Sequence, residues 1–227
     1  MTAAARVLIC DDEPQIRRAL AIVLSEAGFE VVPSSSAEEA LDRAAVRPPQ
    51  AAVIDLLLPG QDGVELCQRL RAWTNMPILL LSAIDEEREK VRALKSGADD
   101  YITKPFSSRE LLARLEVALR RAAPDSGDST VTVGELEVDL GVRTVRDHRG
   151  EIRPTPIEYE LLRVLIRNRG RVMTHRSLLT EVWGPSYETD TPTLRFHIAN
   201  LRKKIEAPGR SAPYIRTENG VGYRLMT

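Results

Sequence analysis

The stretch RVLICDDEPQ, residues 6–15, places three acidic residues directly behind an apolar run. The run at 7–10 has the length and composition of a strand that is buried on both faces of a parallel sheet. Asp11, Asp12 and Glu13 follow it, and their like charges would repel one another if they gathered at the end of the strand. A positively charged partner would relieve this repulsion. The stretch therefore indicates a buried sheet with a charged site at one edge.

Strand-like runs and helical patterns alternate through the first 121 residues. Apolar residues recur at helix spacing from residue 16 to residue 27, and Gly28 is a natural end for that helix. Two pairs of serine and glutamate are typical of capping boxes at the starts of helices two and five. Five strand–helix units in tandem predict a doubly wound α/β domain with a five-stranded parallel sheet. The predicted strands lie at 7–10, 31–32, 51–54, 78–81 and 101–103, and the capping pairs are Ser36 with Glu39 and Ser107 with Glu110.

The pattern changes after this first domain, predicted over residues 1–121. Residues 122–130 (AAPDSGDST) lack periodicity and are rich in Asp, Ser, Gly and Pro, which is typical of a linker. A second domain is predicted over 131–227, where TVTVGELEVDL and RTVRDHRGEI alternate with period two, as short antiparallel strands do. Three helical segments follow at 156–168, 174–182 and 192–206, and two β-rich runs around Asn219-Gly220 predict a closing hairpin.

Charge and composition separate the two parts and exclude some classes of protein. The net charge is −1, but residues 131–227 hold 16 Lys and Arg against 12 Asp and Glu, whereas residues 1–130 hold 16 against 21. The two parts are therefore expected to meet different partners. No apolar stretch approaches the ~20 residues that cross a bilayer, and the N-terminus lacks the layout of a secretory signal, so we expect a cytoplasmic protein with no membrane partner. Cys10 and Cys67 have no metal-ligand spacing and are expected to be small buried hydrophobes.

Polar residues fall at the carboxyl ends of four predicted strands, the edge at which open parallel sheets bind their ligands. Asp11 and Asp12 follow strand one, Asp55 ends strand three, Ser82 ends strand four, and Lys104 ends strand five. Carboxylates suit a hard cation such as Mg²⁺, whereas an ammonium group and a hydroxyl suit a phosphoryl oxygen. Together these groups predict acyl-phosphate chemistry at an aspartate.

Each of these residues also has an ordinary structural interpretation. Asp11 could cap the helix that begins near Pro14. Asp55 could be a turn residue, Ser82 a cap and Lys104 a solvated surface lysine. Their coincidence at the ends of four strands favours a shared site.

CDDEP, VIDLLLPGQDG, LLLSA and GADDYITKPF resemble, in order and spacing, the flavodoxin-like receiver domain of bacterial two-component response regulators. The resemblance covers residues 6–121. It implies that Asp55 accepts a phosphoryl group from the phosphohistidine of a sensor histidine kinase, with Mg²⁺ as cofactor. Asp12 and Asp55 would ligate Mg²⁺ directly, the Leu57 carbonyl would complete the protein ligands, and Asp11 would act largely through water.

The same resemblance implies how phosphorylation is sensed. Ser82 and Lys104 would hold the phosphoryl oxygens, and the bond from Lys104 to Pro105 would be a cis peptide, which proline makes accessible. Tyr101 would be an aromatic switch that turns inward when Ser82 moves toward the phosphate. An aromatic residue half-buried on a strand is compatible with that role.

The second part resembles the winged-helix effector domain of the OmpR/PhoB subfamily, on TPIEYELL, LLTEVWG, HIANLRKKIE and TENGVGYRL. It is most similar to the Kdp-type potassium-response regulators, on PTPIEYELLRVL, EVWGPSYETDT and LRFHIANLRKKIE. Pro192-Thr193 stands where those regulators usually have an aromatic-rich stretch. The resemblance implies double-stranded promoter DNA and RNA polymerase as partners, and potassium-transport genes as a possible target.

The third predicted helix of this domain has one apolar stripe and one mixed face. Leu194, Ile198, Leu201 and Ile205 form the stripe and are expected in the core, whereas the opposite face suits a major groove. A solvated amphipathic surface is the alternative. By analogy with the subfamily, the candidates are Arg195, Phe196, Ala199 and Asn200 for base contacts, His197, Arg202 and Lys203 for phosphate contacts, and Arg216 and Thr217 in the wing for the backbone or minor groove.

In this subfamily, activated receivers form a homodimer through helix four, strand five and helix five. Lys90 with Glu110 matches one of the usual pairs across the two-fold axis. Asp100 with Arg114 matches another, whereas Arg121 has no obvious acidic partner. The charged residues expected on this face are Lys90, Asp99, Asp100, Glu110, Arg114 and Arg121.

These features predict a phosphorylation-controlled transcription factor rather than an enzyme. One alternative is a regulator that dimerises without phosphate, against which the complete pocket argues. The other is a metal-dependent phosphohydrolase that uses Asp55 covalently. Haloacid-dehalogenase-like enzymes of that kind place a second acid two residues after the nucleophile, where this chain has Leu57.

Overall fold

A computed structural model describes residues 4–58, 62–83, 87–122, 130–206 and 213–226. The chain divides into two compact units, Met1–Ala122 and Ala123–Thr227. The division falls at the start of the predicted linker, whose residues 123–129 lie outside the described part of the chain.

The first unit is the predicted doubly wound domain. Its five strands are parallel and lie in the order β2-β1-β3-β4-β5, so the four strands that carry the predicted site are neighbours. The strands are β1 (Arg6–Cys10), β2 (Glu30–Ser34), β3 (Ala51–Asp55), β4 (Ile78–Ser82) and β5 (Asp100–Thr103). The helices are α1 (Pro14–Glu26), α2 (Ala37–Val46), α3 (Gly63–Arg71), α4 (Glu87–Lys95) and α5 (Ser108–Ala122).

Both faces of this sheet are covered by apolar side chains, which explains why its strands are continuous hydrophobic runs. Successive residues of a strand point to opposite faces. Accordingly, Leu8 and Cys10 belong to one apolar cluster, and Val7 and Ile9 belong to the other. Burial raises the pKa of the Cys10 thiol to about 12 and that of Cys67 to about 11. Both cysteines therefore act as small buried hydrophobes, as predicted.

Serine side chains begin two of these helices. The Ser36 hydroxyl accepts the Glu39 N–H at 3.3 Å, and the Ser107 hydroxyl accepts the Glu110 N–H at 3.1 Å. In a capping box the glutamate side chain would accept the N–H of Ser36. Here the Glu39 carboxylate instead accepts the N–H of the preceding residue, Ser35, at 2.7 Å. The caps that start α2 and α5 are thus formed, although by a different pairing at Glu39.

The described residues of the second unit form two antiparallel sheets and three α-helices. A four-stranded sheet is formed by β6 (Thr130–Val133), β7 (Leu136–Asp139), β8 (Thr144–Asp147) and β9 (Gly150–Ile152). The helices are α6 (Pro156–Arg167), α7 (His175–Trp183) and α8 (Thr191–Ile205), and a second sheet has the order β10-β12-β11, with β10 (Val172–Thr174), β11 (Ile215–Glu218) and β12 (Gly222–Leu225). Strands β11 and β12 form the predicted hairpin, the wing, which β10 extends by one strand.

Close packing requires a glycine at one point of this wing sheet. A Cβ at Gly222 would lie 1.9 Å from the Met173 carbonyl oxygen, so glycine is required where β12 approaches β10.

The predicted apolar stripe of α8 is buried in the core of the unit with Trp183. Among the described residues, no helix has both the length and the hydrophobicity needed to span a bilayer.

Candidate functional site

Three carboxylates meet at the carboxyl edge of the parallel sheet. Asp11, Asp12 and Asp55 each offer one oxygen, and these oxygens lie within 4.8 Å of one another. Asp11 and Asp12 follow β1 and Asp55 ends β3, and the two strands are paired in parallel. The topology of the sheet therefore brings together groups that are far apart in sequence.

This donor set fits Mg²⁺. The ion takes oxygen ligands at about 2.0–2.1 Å and often keeps several waters, so it needs only a few carboxylates. Two of the three carboxylates are buried and the third, Asp12, is half-buried, which leaves a path for water. Leu57, the source of the predicted carbonyl ligand, follows in the loop after β3, and its N–H donates to Asp55 Oδ1 at 3.5 Å.

Lys104 completes the cluster from the end of β5. Its Nζ lies 3.0 Å from Asp55 Oδ2 and 3.1 Å from Asp11 Oδ2, so one ammonium group bridges two acids. The Lys104 N–H donates to the Ser82 carbonyl at 2.6 Å, which holds the end of β5 beside the end of β4. The peptide bond from Lys104 to Pro105 is cis, which confirms that prediction.

The electrostatics of the cluster follow from burial and from this bridge. Burial raises the pKa of Asp55 above its ordinary value, and the ammonium of Lys104 opposes that shift only in part. Burial alone would lower the pKa of Lys104, but Asp55 and Asp11 raise it overall. Lys104 is therefore firmly protonated, and its positive charge favours the ionised form of Asp55.

Ser82 and Tyr101 share one face of the sheet. Tyr101 on β5 lies opposite Leu80 on β4, and Ser82 is two residues beyond Leu80. Residues two apart on a strand point the same way. The Tyr101 side chain is 6% exposed and packs in the apolar cluster of that face. Its movement as a switch stays a prediction.

The charged face of β5 and α5 is paired within the chain. The Arg114 guanidinium donates to both oxygens of Asp100 at 3.2 and 3.3 Å. It also donates to Glu110 Oε1 at 2.7 and 3.0 Å. Arg121 is buried, and the side chain of Lys90 on α4 lies outside the described residues.

The structure corrects the placement of Asp99 on this charged face. Asp99 is 2% exposed, and its carboxylate pairs with Arg71 at the end of α3. The same carboxylate accepts the N–H of Ile78 at 2.8 Å. Asp99 is thus an internal structural group, because its buried carboxylate is paired with the half-buried guanidinium of Arg71.

The mixed face of α8 is available for contact, with one exception. Arg195, Ala199 and Lys203 are exposed, and Phe196, Asn200 and Arg202 are half-buried. His197 is only 2% exposed and its ring packs 5.6 Å from the ring of Trp183. The prediction that His197 contacts a phosphate is therefore wrong, because the imidazole lies in the core.

The wing contributes exposed residues and one contact that the sequence did not indicate. Arg216 and Thr217 are exposed, as their predicted role requires. The Arg202 guanidinium donates to the Ile215 carbonyl at 3.0 Å and to the Thr217 hydroxyl at 2.9 Å, and lies 5.6 Å from the centre of the Tyr223 ring. Tyr223 lies opposite Thr217 because the hairpin loop has three residues, whereas a two-residue turn at Asn219-Gly220 would have placed Gly222 there.

An aspartate cluster with a bridging lysine at the edge of a doubly wound sheet, in one chain with a winged helix, defines a regulator that joins a receiver to a DNA-binding domain. The family "Response regulator receiver domain" matches residues 7–116. The family "Transcriptional regulatory protein, C terminal" matches residues 149–225. The chain therefore belongs to the two-component response regulators of the OmpR/PhoB type.

Several relatives align over nearly the whole length of this chain. The transcriptional regulatory protein KdpE of Mycobacterium tuberculosis is 43% identical, covering 96% of this chain and 98% of KdpE. The KDP operon transcriptional regulatory protein KdpE of Escherichia coli K12 is 44% identical, covering 97% and 98%. The solved structure of DrrB, a Thermotoga maritima OmpR/PhoB homolog, is 28% identical with a TM-score of 0.53, covering 99% of this chain and all of that one. The two KdpE proteins are transcriptional regulators, which argues against the phosphohydrolase alternative.

Proposed function

We propose that Asp55 is the phosphoryl acceptor of this response regulator, and that its phosphorylation controls transcription from promoter DNA bound by the second unit. The observation that carries this proposal is the bridge from Lys104 to Asp55 and Asp11. It puts a nucleophilic carboxylate, a cation site and a donor for phosphoryl oxygens in one small space.

The chemistry is a transfer from a phosphohistidine of a sensor histidine kinase. A carboxylate oxygen of Asp55 attacks phosphorus, an O–P bond forms as the N–P bond breaks, and the histidine nitrogen keeps the electron pair. The Lys104 ammonium and the Ser82 hydroxyl donate to the phosphoryl oxygens. Asp11, Asp12, Asp55 and the Leu57 carbonyl would hold Mg²⁺, which when bound neutralises the charge on the phosphoryl group.

Phosphorylation would reach the second unit through the shared face of Ser82 and Tyr101. When Ser82 moves toward the phosphoryl oxygens, it leaves room that the inward ring of Tyr101 occupies. This favours a homodimer through α4, β5 and α5, with Asp100 and Arg114 exchanging partners across the two-fold axis. A dimer raises the effective concentration of the second DNA-binding unit at a site with two half-sites.

Promoter binding would use the exposed face of α8 and the wing. Arg195, Phe196, Ala199 and Asn200 contact bases in the major groove, and Lys203 contacts a phosphate. In the wing, Arg216 and Thr217 lie near the backbone or minor groove. RNA polymerase is the proposed partner of the promoter-bound dimer.

Potassium transport is the proposed target of this regulation. Its support is the 44% identity, over nearly the full length of both chains, with the KDP operon regulator of Escherichia coli.

Sedimentation velocity with and without beryllofluoride and Mg²⁺ tests the phosphoryl site. We expect wild type to shift toward dimer, and Asp55→Ala to stay unchanged. Asp42→Ala, which alters an exposed aspartate on α2, is the matched control and should behave as wild type. A wild-type profile that does not respond would refute the proposal, and a dimer in the absence of beryllofluoride would favour the phosphate-independent alternative.

A further inference from the structure

The last turn of α8 covers the free edge of the wing. In the order β10-β12-β11, β11 is an edge strand. The Tyr214 carbonyl accepts from Met226 N at 2.8 Å on the β12 side, so the backbone groups of the next residue, Ile215, point away from β12. Such groups on an edge strand need other partners.

Two side chains of α8 and its cap supply those partners. The Arg202 Nε donates to the Ile215 carbonyl at 3.0 Å. The Glu206 carboxylate, one turn further on, accepts the Ile215 N–H at 3.4 Å. Arg202 and Glu206 thus take the place that a fourth strand would have, and together they hold the wing against the helix.

Arg202 also contacts the face of the wing that is turned toward α8. Thr217 and Tyr223 lie opposite each other and point to the same face of the hairpin. Arg202 donates to the hydroxyl of Thr217 at 2.9 Å and stacks over the ring of Tyr223. The Tyr223 ring in turn meets the His175 ring edge-on, with centroids 5.5 Å apart, at the start of α7. Arg202 therefore connects α8, the wing and α7.

We infer that Arg202 is a positioning residue that fixes the wing relative to the recognition helix, rather than one that mainly contacts a DNA phosphate. The inference rests on the proposed DNA-binding role of α8 and the wing. A wing held in place before binding loses less freedom when it meets DNA, which favours affinity. The planar guanidinium is needed for this role, because an ammonium group cannot donate along a fork and stack on a ring at once.

Amide hydrogen exchange of β11 in the free full-length protein tests this role without DNA. Because the lost hydrogen bonds involve a charged group, Arg202→Lys should accelerate exchange across Ile215–Glu218 by about tenfold. Glu206→Ala removes the carboxylate that accepts the Ile215 N–H, and it should accelerate the exchange of β11 by a smaller factor. Lys203→Gln, on the exposed face of α8, is the matched control and should leave β11 unchanged. Unaltered exchange in Arg202→Lys would overturn the inference.

DNA binding supplies a second and separate readout, using the duplex that wild type recovers from a random pool. Arg202→Lys should bind about tenfold more weakly with the wild-type salt dependence, whereas Lys203→Gln should reduce the salt slope by about one. If Arg202→Lys binds as tightly as wild type, contact between a lysine ammonium and a DNA phosphate is sufficient for the role of this position in binding, and the inference fails. If wild type recovers no duplex, the proposed DNA-binding function fails, while the exchange result still decides the role of Arg202.

Discussion

The guanidinium of Arg71 at the end of α3 pairs with the buried carboxylate of Asp99, just before β5. Arg71 also donates to the Gly97 carbonyl at 2.7 Å, and Asp99 accepts the N–H of Ile78 at the start of β4. Gly97 has a φ of +96°, and a Cβ there would lie 2.9 Å from Arg71 Cγ. This ion pair therefore ties three elements together at the amino edge of the sheet, opposite the acidic cluster.

Asp99→Ala should destabilise the receiver unit rather than act on dimerisation. Removing one partner of a buried ion pair leaves the other charge uncompensated and costs about 3 kcal/mol. Glu110→Ala, which removes the partly exposed pair with Arg114, should cost less than about 1 kcal/mol. The free energy of unfolding is measured from exchange of receiver peptides across a urea series. A fully stable Asp99→Ala protein that no longer dimerises would restore the exposed role for Asp99.

Lys104 should act as the internal counterion of the acidic cluster when no divalent cation is present. Lys104→Gln removes a charged hydrogen-bond donor from two acids, so in EDTA it should lower the stability of the receiver unit by about 2 kcal/mol. Mg²⁺ should then raise the melting temperature of the variant more than that of wild type, because no ammonium competes for the carboxylates. Thermal unfolding with and without Mg²⁺ measures both effects. Lys95→Gln, at an exposed position of α4, should match wild type, and an equal Mg²⁺ response in all three proteins would count against the counterion role.

The sequence was sufficient to predict the fold of the receiver and the meeting of Asp11, Asp12, Asp55 and Lys104 at one edge of its sheet. Asp55 and Lys104 are 49 residues apart, yet their contact followed from the pattern, because the carboxyl ends of neighbouring parallel strands share one edge. The pattern also predicted the buried stripe of α8. Both results depend on periodicity, which a single sequence displays directly.

Contacts that periodicity does not encode were missed. Strand β10 has only three residues, too few for an alternating pattern, and it forms because β12 offers an edge. The pairing of Asp99 with Arg71 and of Arg202 with the wing depends on how elements approach in space. His197 is different, because it lies three residues after Leu194 and four before Leu201, so helix spacing alone places it on the buried stripe.

A mixing experiment can determine whether Asp100 and Arg114 exchange partners between subunits. In the Asp100→Lys variant both side chains of this pair are positively charged. In the Arg114→Glu variant both are negatively charged. With beryllofluoride and Mg²⁺, each variant alone should stay monomeric because like charges would meet across the axis, whereas an equal mixture should form heterodimers by sedimentation velocity. Circular dichroism of each variant controls for folding. If the mixture dimerises no better than its components, the pair remains within the chain.

His175 should make the stability of the second unit depend on pH. Its ring begins α7, lies edge-on to Tyr223 and is near Arg195, and burial, followed by the charge of Arg195, lowers its pKa below the ordinary value of 6.5. The positive end of the helix dipole acts in the same direction. As the pH falls, the unfolded chain therefore binds a proton at His175 before the folded chain does. The contribution of His175 to stability is complete above its ordinary pKa and is lost as the pH falls below that value.

The test compares wild type with His175→Gln between pH 7.5 and pH 5.5, about one unit either side of the ordinary histidine pKa. The free energy of unfolding of the second unit should fall more steeply with decreasing pH in wild type, because only wild type gains this proton on unfolding. The difference between the two proteins isolates His175 from His197, which both contain. Parallel pH profiles would show that His175 titrates alike in the folded and unfolded chains, and that the packing of its ring against Tyr223 does not disfavour its charge.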